Sequence, residues 1–142
     1  MTPTLAGRIQ TRIFLVVVVG IPWTLIIGPP LAAAAGVSAG DMYAIGFTAL
    51  LWVAVAGIGW DLLYQALQQL RWEKDWPTLF GLVTVVNEGL VVFLLLLAGF
   101  GSVPVGAFVA LFLTTWLLIW LVANGPMRVV FLRWRYRGGR LG

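Results

Sequence analysis

Four apolar runs, at 13–29, 43–63, 78–100 and 104–123, dominate the chain. Each comes close to the roughly 20 residues that, at about 1.5 Å per residue, carry a helix across about 30 Å of hydrocarbon. Hydrocarbon offers no water to satisfy backbone N–H and C=O groups, so runs of this kind are expected to be helices. The sequence therefore predicts an all-α membrane protein, a four-helix transmembrane bundle forming a single integral membrane domain over 1–142. Composition agrees: 61% of the residues are hydrophobic and 10% charged, against about 25% charged in soluble domains.

The first run imitates a signal peptide, because Arg8 and Arg12 precede it and Pro29-Pro30-Leu31-Ala32-Ala33-Ala34 follows its core. It is read here as a retained first span. Pro22, near its middle, removes one ladder bond and is expected to kink the helix.

Charge then orients the bundle. The nine basic residues, Arg8, Arg12, Arg71, Lys74, Arg128, Arg133, Arg135, Arg137 and Arg140, precede span one, separate spans two and three, or follow span four. The other two connections carry none. The positive-inside rule therefore predicts both termini in the cytoplasm and an integral, multi-pass plasma (inner) membrane location. Local signals fit these boundaries. Asp41 and Ser102 stand where N-caps are expected, Asp75 precedes Trp76-Pro77, and Asn124-Gly125-Pro126 reads as a helix stop. Trp60, Trp72, Trp76 and Trp134 are expected at the inner interface. Leu63, Leu67 and Leu70 form a stripe on a cytoplasmic extension of the second helix, suited to headgroups or a partner.

Glu88 falls near the middle of span three, with Asn87 beside it. An unpaired carboxylate at that depth costs at least about 2.5 kcal/mol, so Glu88 is expected to face protein or water. Thr84 and Gly81 share its face, and Thr114, Thr115 and Thr24 are candidate hydrogen-bond partners at matching depth. One reading makes Glu88 a proton- or ion-coupling carboxylate with Asn87 as a second ligand. The preferred reading is structural: a protonated Glu88 bonded to a threonine hydroxyl or a partner subunit, because a coupled pathway needs more polar groups than the spans supply.

Asp61 closes the run Gly57-Ile58-Gly59-Trp60-Asp61. Its level is expected to lie about 12 Å from that of Glu88, too far for a carboxylate pair sharing one proton. It is assigned to the inner interface, opposite Arg71 or Lys74. Small residues mark the packing faces: Gly46, Ala49 and Ala56 on span two, Gly81 on span three, Ala107 and Ala110 on span four.

The tail at 126–142 reads as a short amphipathic segment in the inner headgroup layer. Arg128, Arg133, Arg135, Arg137 and Arg140 are expected to bind anionic lipid, with Trp134 anchoring the apolar side. That origin of the charge leaves no reason to expect nucleic acid.

The absence of Cys and His excludes disulfides, thiolate nucleophiles, Cys/His zinc sites and His-ligated haem, so no cofactor or metal is expected. With no catalytic residue set, the sequence points to a non-catalytic accessory or structural subunit that associates with other membrane subunits or with itself. The alternative is a small proton-coupled transporter or lipid-linked-substrate flippase using Glu88.

Overall fold

The computed structural model describes residues 4–70 and 78–130, apart from the side chains at 68 and 78–83. Its elements are α1 (Leu5–Leu15), a π-helical turn (Val16–Gly20), α2 (Ile21–Ala35), α3 (Ala39–Gln69), α4 (Thr78–Phe100), α5 (Val105–Asn124) and α6 (Pro126–Val130). Three stretches are long and apolar enough to cross a membrane, Leu5–Ala35, Ala39–Leu67 and Val105–Val130, and α4 adds a shorter apolar helix as the fourth member. The chain is thus an all-α membrane bundle.

The first helix starts earlier and ends later than the expected 13–29. Thr4 caps it, its hydroxyl accepting the Gly7 N–H at 3.1 Å. At the other end Pro29 and Pro30 lie inside α2 rather than terminating it. Pro29 has no N–H to offer the Leu25 carbonyl one turn back. The Tyr43 hydroxyl on α3 donates to that carbonyl instead, at 3.1 Å. The helix stops at Gly36, which takes the left-handed conformation (φ 69°) while the Val37 N–H reaches back to the Ala32 carbonyl at 3.1 Å.

The break expected at Pro22 takes the form of the π-helical turn just before it, where the Ile21 N–H bonds the Val16 carbonyl. Widening the ladder by one residue ahead of a proline eases the clash between its ring and the preceding turn.

Ser38 caps α3, accepting the Asp41 N–H at 3.0 Å and donating its own hydroxyl to Asp41 Oδ2 at 2.7 Å. Asp41 is therefore the in-helix partner of the cap rather than the cap expected from the sequence. Ser102 does not cap α5 either, since Pro104 holds that position without a side-chain bond. The Asn124-Gly125 stop falls where the sequence puts it, with the Gly125 N–H bonding the Leu121 carbonyl at 2.8 Å.

The helices form a closed ring in which α2 packs on α3 and α5, and α4 packs on α3 and α5. The core comprises Met42, Ile45 and Ala49 of α3, Val92 and Leu96 of α4, and Ala107, Phe108, Leu111 and Phe112 of α5, with Ala32 of α2. Phe93 tilts against Phe108 at 5.1 Å between centroids, and Phe108 stacks on Phe112 at 5.5 Å. A second cluster joins Leu15 of α1 to Ala123 and Met127, so the beginning and the end of the described chain meet at one end of the bundle. The outer surface is apolar, with Ile26, Leu51, Val86 and Leu90 all more than half exposed, as a bilayer-facing surface requires.

Candidate functional site: an arginine between two buried acids

Near the end of the bundle where Leu15 meets Ala123 and Met127, three helices direct charge inward. On α1 the buried face runs through Gly7, Thr11 and Leu15. Thr11 turns its hydroxyl back to the Gly7 carbonyl at 2.5 Å, leaving the adjacent Arg12 as the polar group that crosses to α3. Asp61 lies one helical turn beyond Gly57, on the same face of α3. Gly57 is buried, and a Cβ built there would collide with the Arg12 guanidinium, so the missing side chain is the space through which Arg12 passes.

The guanidinium then meets two carboxylates. Its Nε and Nη2 donate to Asp61 Oδ2 and Oδ1 at 2.8 and 3.2 Å, and its Nη1 and Nη2 donate to Glu88 Oε2 and Oε1 at 3.0 Å each. The remaining Nη1–H points to the Val53 carbonyl at 3.5 Å. Every one of the roughly five N–H donors of an arginine is therefore directed to an oxygen, two of the pairs in the bidentate geometry that is strongest for guanidinium and carboxylate. Glu88 is 4% exposed and Asp61 7%. Backbone packing does not join α1 to α4 among the described residues, so Arg12 is the link between them.

Around this triad, Arg8 acts electrostatically on Asp61, and Tyr64 stands near Glu88, Arg12 and Asp61. One guanidinium faces two carboxylates, and Arg8 supplies a second positive charge nearby.

Glu88 is shielded, as expected, but its partner is Arg12 and not a threonine. The expected distance between the levels of Asp61 and Glu88 is also corrected, since both carboxylates grip one guanidinium. The discrepancy comes from ending the second span at Leu63. Helix α3 runs on to Gln69 and α4 begins at Thr78. Counted from those facing ends, Asp61 and Glu88 lie about 12 and 15 Å along their helices, nearly level. The assignment of Asp61 to Arg71 or Lys74 is superseded by the bond to Arg12, and those two residues lie outside the described ones.

The threonines gather elsewhere. Thr114 bonds back to the Ala110 and Leu111 carbonyls at 2.7 and 3.2 Å and accepts the Trp23 indole N–H at 2.9 Å, tying α2 to α5. Thr24 and Thr115 line a cavity of about 20 Å³, bordered by Gly46, Phe112 and Trp116, and their buried hydroxyls have no protein partner. Valine has nearly the shape of threonine without the hydroxyl, so Thr24→Val and Thr115→Val are each expected to change stability by less than about 1 kcal/mol. Thermal unfolding in detergent checks this; a loss above about 2 kcal/mol from either single change would show that the hydroxyl carries a structural bond.

The remaining expected site residues are dispersed. Thr84 is half-buried and Asn87 exposed, both on α4. Gly46 faces Thr24 and Leu111, where a Cβ would approach Thr24 Cγ2 to 2.7 Å; Ala49 and Ala107 are core residues, and Ala56 and Ala110 are half-buried. Gly81 sits in α4 within the stretch whose side chains are not described. Arg128 is exposed on α6, whereas Arg133, Arg135, Arg137, Arg140 and Trp134, and with them most of the tail expected to bind anionic lipid, lie outside the described residues. Sequence reasoning missed Arg12, Gly57 and Tyr64 as members of the site. The signal for Arg12 was charge balance, since two acids inside an apolar bundle call for a cation and Arg12 stands one helical turn beyond Arg8 into the first helix.

Fold and cluster together define a four-helix membrane bundle with an internal salt-bridge triad. Comparison with protein-family models, curated proteins and solved structures gave no match.

Proposed function

We propose that this chain is a non-catalytic small integral membrane protein that acts as an accessory or structural subunit of a larger or self-associated membrane complex. The observation that carries the reading is the closure of the triad: each Arg12 donor already has an oxygen acceptor within the chain, so the charges are engaged in holding α1, α3 and α4 together. In some proteins buried ion pairs fix register and assembly more than they add net stability. The distribution of basic residues supports a plasma (inner) membrane protein with both termini cytoplasmic and anionic lipid around the tail.

A second reading, a small proton-coupled transporter or lipid-linked-substrate flippase, is favoured by the sharing of one guanidinium between two carboxylates. Protonation of either acid would leave the other paired. Glu88→Gln distinguishes the two. The glutamine oxygen accepts one Arg12 bond while its amide opposes the other donor, so a stability loss of about 1–3 kcal/mol with retained fold and assembled mass is expected. Mass determination in mild detergent and proton flux in dye-loaded liposomes read the outcome. A proton flux present in the native protein and abolished in a folded, assembled Glu88→Gln variant would overturn the subunit reading.

A further inference from the structure

Asn87 is the polar residue that the triad leaves out. It stands next to Glu88 on α4 but points outward, exposed between Val86, 67% exposed, and Leu90, 59% exposed. A carboxamide carries about two donors and two acceptor lone pairs, and at an exposed position between apolar neighbours that hydrogen-bonding capacity is turned away from the bundle. In hydrocarbon this capacity draws helices together.

The residues that share its face have a regular spacing. Asn87, Leu90, Leu94 and Leu97 succeed one another along α4 at steps of three and four. Leu90 and Leu94 are exposed, whereas Leu97 is half-buried and packs against the bundle's own core. This is the a/d pattern of a helix that pairs lengthwise with another, with an asparagine at one seam position, where it sets register and partner number. Copies of one chain inserted in the same orientation hold identical residues at identical depth. A carboxamide both donates and accepts, so the group at that depth that complements Asn87 is Asn87 of a second copy.

We propose that two copies of this chain associate through parallel α4 helices, with an Asn87–Asn87 hydrogen bond at one end of a seam continued by Leu90 and Leu94. This rests on the subunit reading and specifies its partner. The two-fold axis runs along the membrane normal, and each triad remains inside its own bundle, so pairing and the internal salt bridges are independent.

The chain has no cysteine, which permits a disulfide scan of the full-length protein in native membranes. Single cysteines at Leu90 and Leu94 are expected to cross-link to dimers under mild oxidation, whereas cysteines at Ile26 and Leu51, equally exposed on other helices, are not. Asn87→Val is expected to reduce the dimer fraction of the Leu94→Cys protein about threefold to tenfold, the worth of one interhelical hydrogen bond, and Asn87→Gln to restore most of it. Thermal stability of the Asn87 variants follows folding separately and should stay near the native value. Equal cross-linking at all four positions, dimers indifferent to Asn87→Val, or seam cysteines captured by a different protein would each overturn the proposal. Capture by a different protein would do so while supporting the subunit reading.

Discussion

Replacing Arg12 with leucine is expected to destabilise the bundle by about 3–5 kcal/mol, because it strands two carboxylates that are otherwise 4% and 7% exposed. The loss comes from the uncompensated charges more than from the missing attraction. The triple variant Arg12→Leu, Asp61→Leu, Glu88→Leu should therefore recover most of the stability, since an apolar group of similar volume has no desolvation cost to offset. Arg12→Lys should fall between, because one ammonium cannot reproduce the two bidentate contacts. Thermal unfolding of the purified proteins in one detergent ranks the series. Equal losses for the single and triple leucine variants would show that Arg12 contributes through packing alone.

Gly57→Ala is expected to cost about 2–4 kcal/mol, although alanine normally stabilises a helix by about 1 kcal/mol over glycine. The new methyl would stand 2.5 Å from Arg12 Cζ and 2.6 Å from its Nε. A long side chain usually swings away from such a contact. This one is held by both carboxylates, so moving it means giving up charge-assisted bonds worth about 1.5–3 kcal/mol each. Gly59→Ala is the control, because a Cβ there meets nothing within 4 Å, and it should be neutral or raise stability by about 1 kcal/mol. Indistinguishable unfolding temperatures for the two alanine variants would refute the steric account of Gly57.

The fold was legible in the sequence wherever the deciding force was local or summed along one helix. The third span was expected at 78–100 and α4 occupies Thr78–Phe100; span four ends at the Asn124-Gly125 stop. The prolines were less legible, because Pro29 breaks a helix only if its orphaned carbonyl goes unsatisfied, and the hydroxyl that satisfies it comes from Tyr43, 18 residues from Leu25. The site shows the same division. That Glu88 turns inward follows from its depth. That it meets Arg12 depends on the register of α1 against α4, which no pattern within either helix encodes. Arg12 was counted as a cytoplasmic flank because arginines near a span usually serve that role, and the buried glycine that admits it reads in sequence as one small residue among several.

The long sequence separation of these contacts also shapes how the protein is made. Arg12 is synthesised ahead of its partners, which follow 49 and 76 residues later. An arginine near a helix end can stay solvated by reaching toward the headgroups until such partners arrive. Settling of the first helix to its final depth is thereby coupled to the emergence of the second, which brings Asp61, and completed by the third, which brings Glu88. A ribosome paused before Glu88 would hold a chain with Arg12 only half neutralised, and biogenesis becomes a timed handover of one cation from lipid to protein.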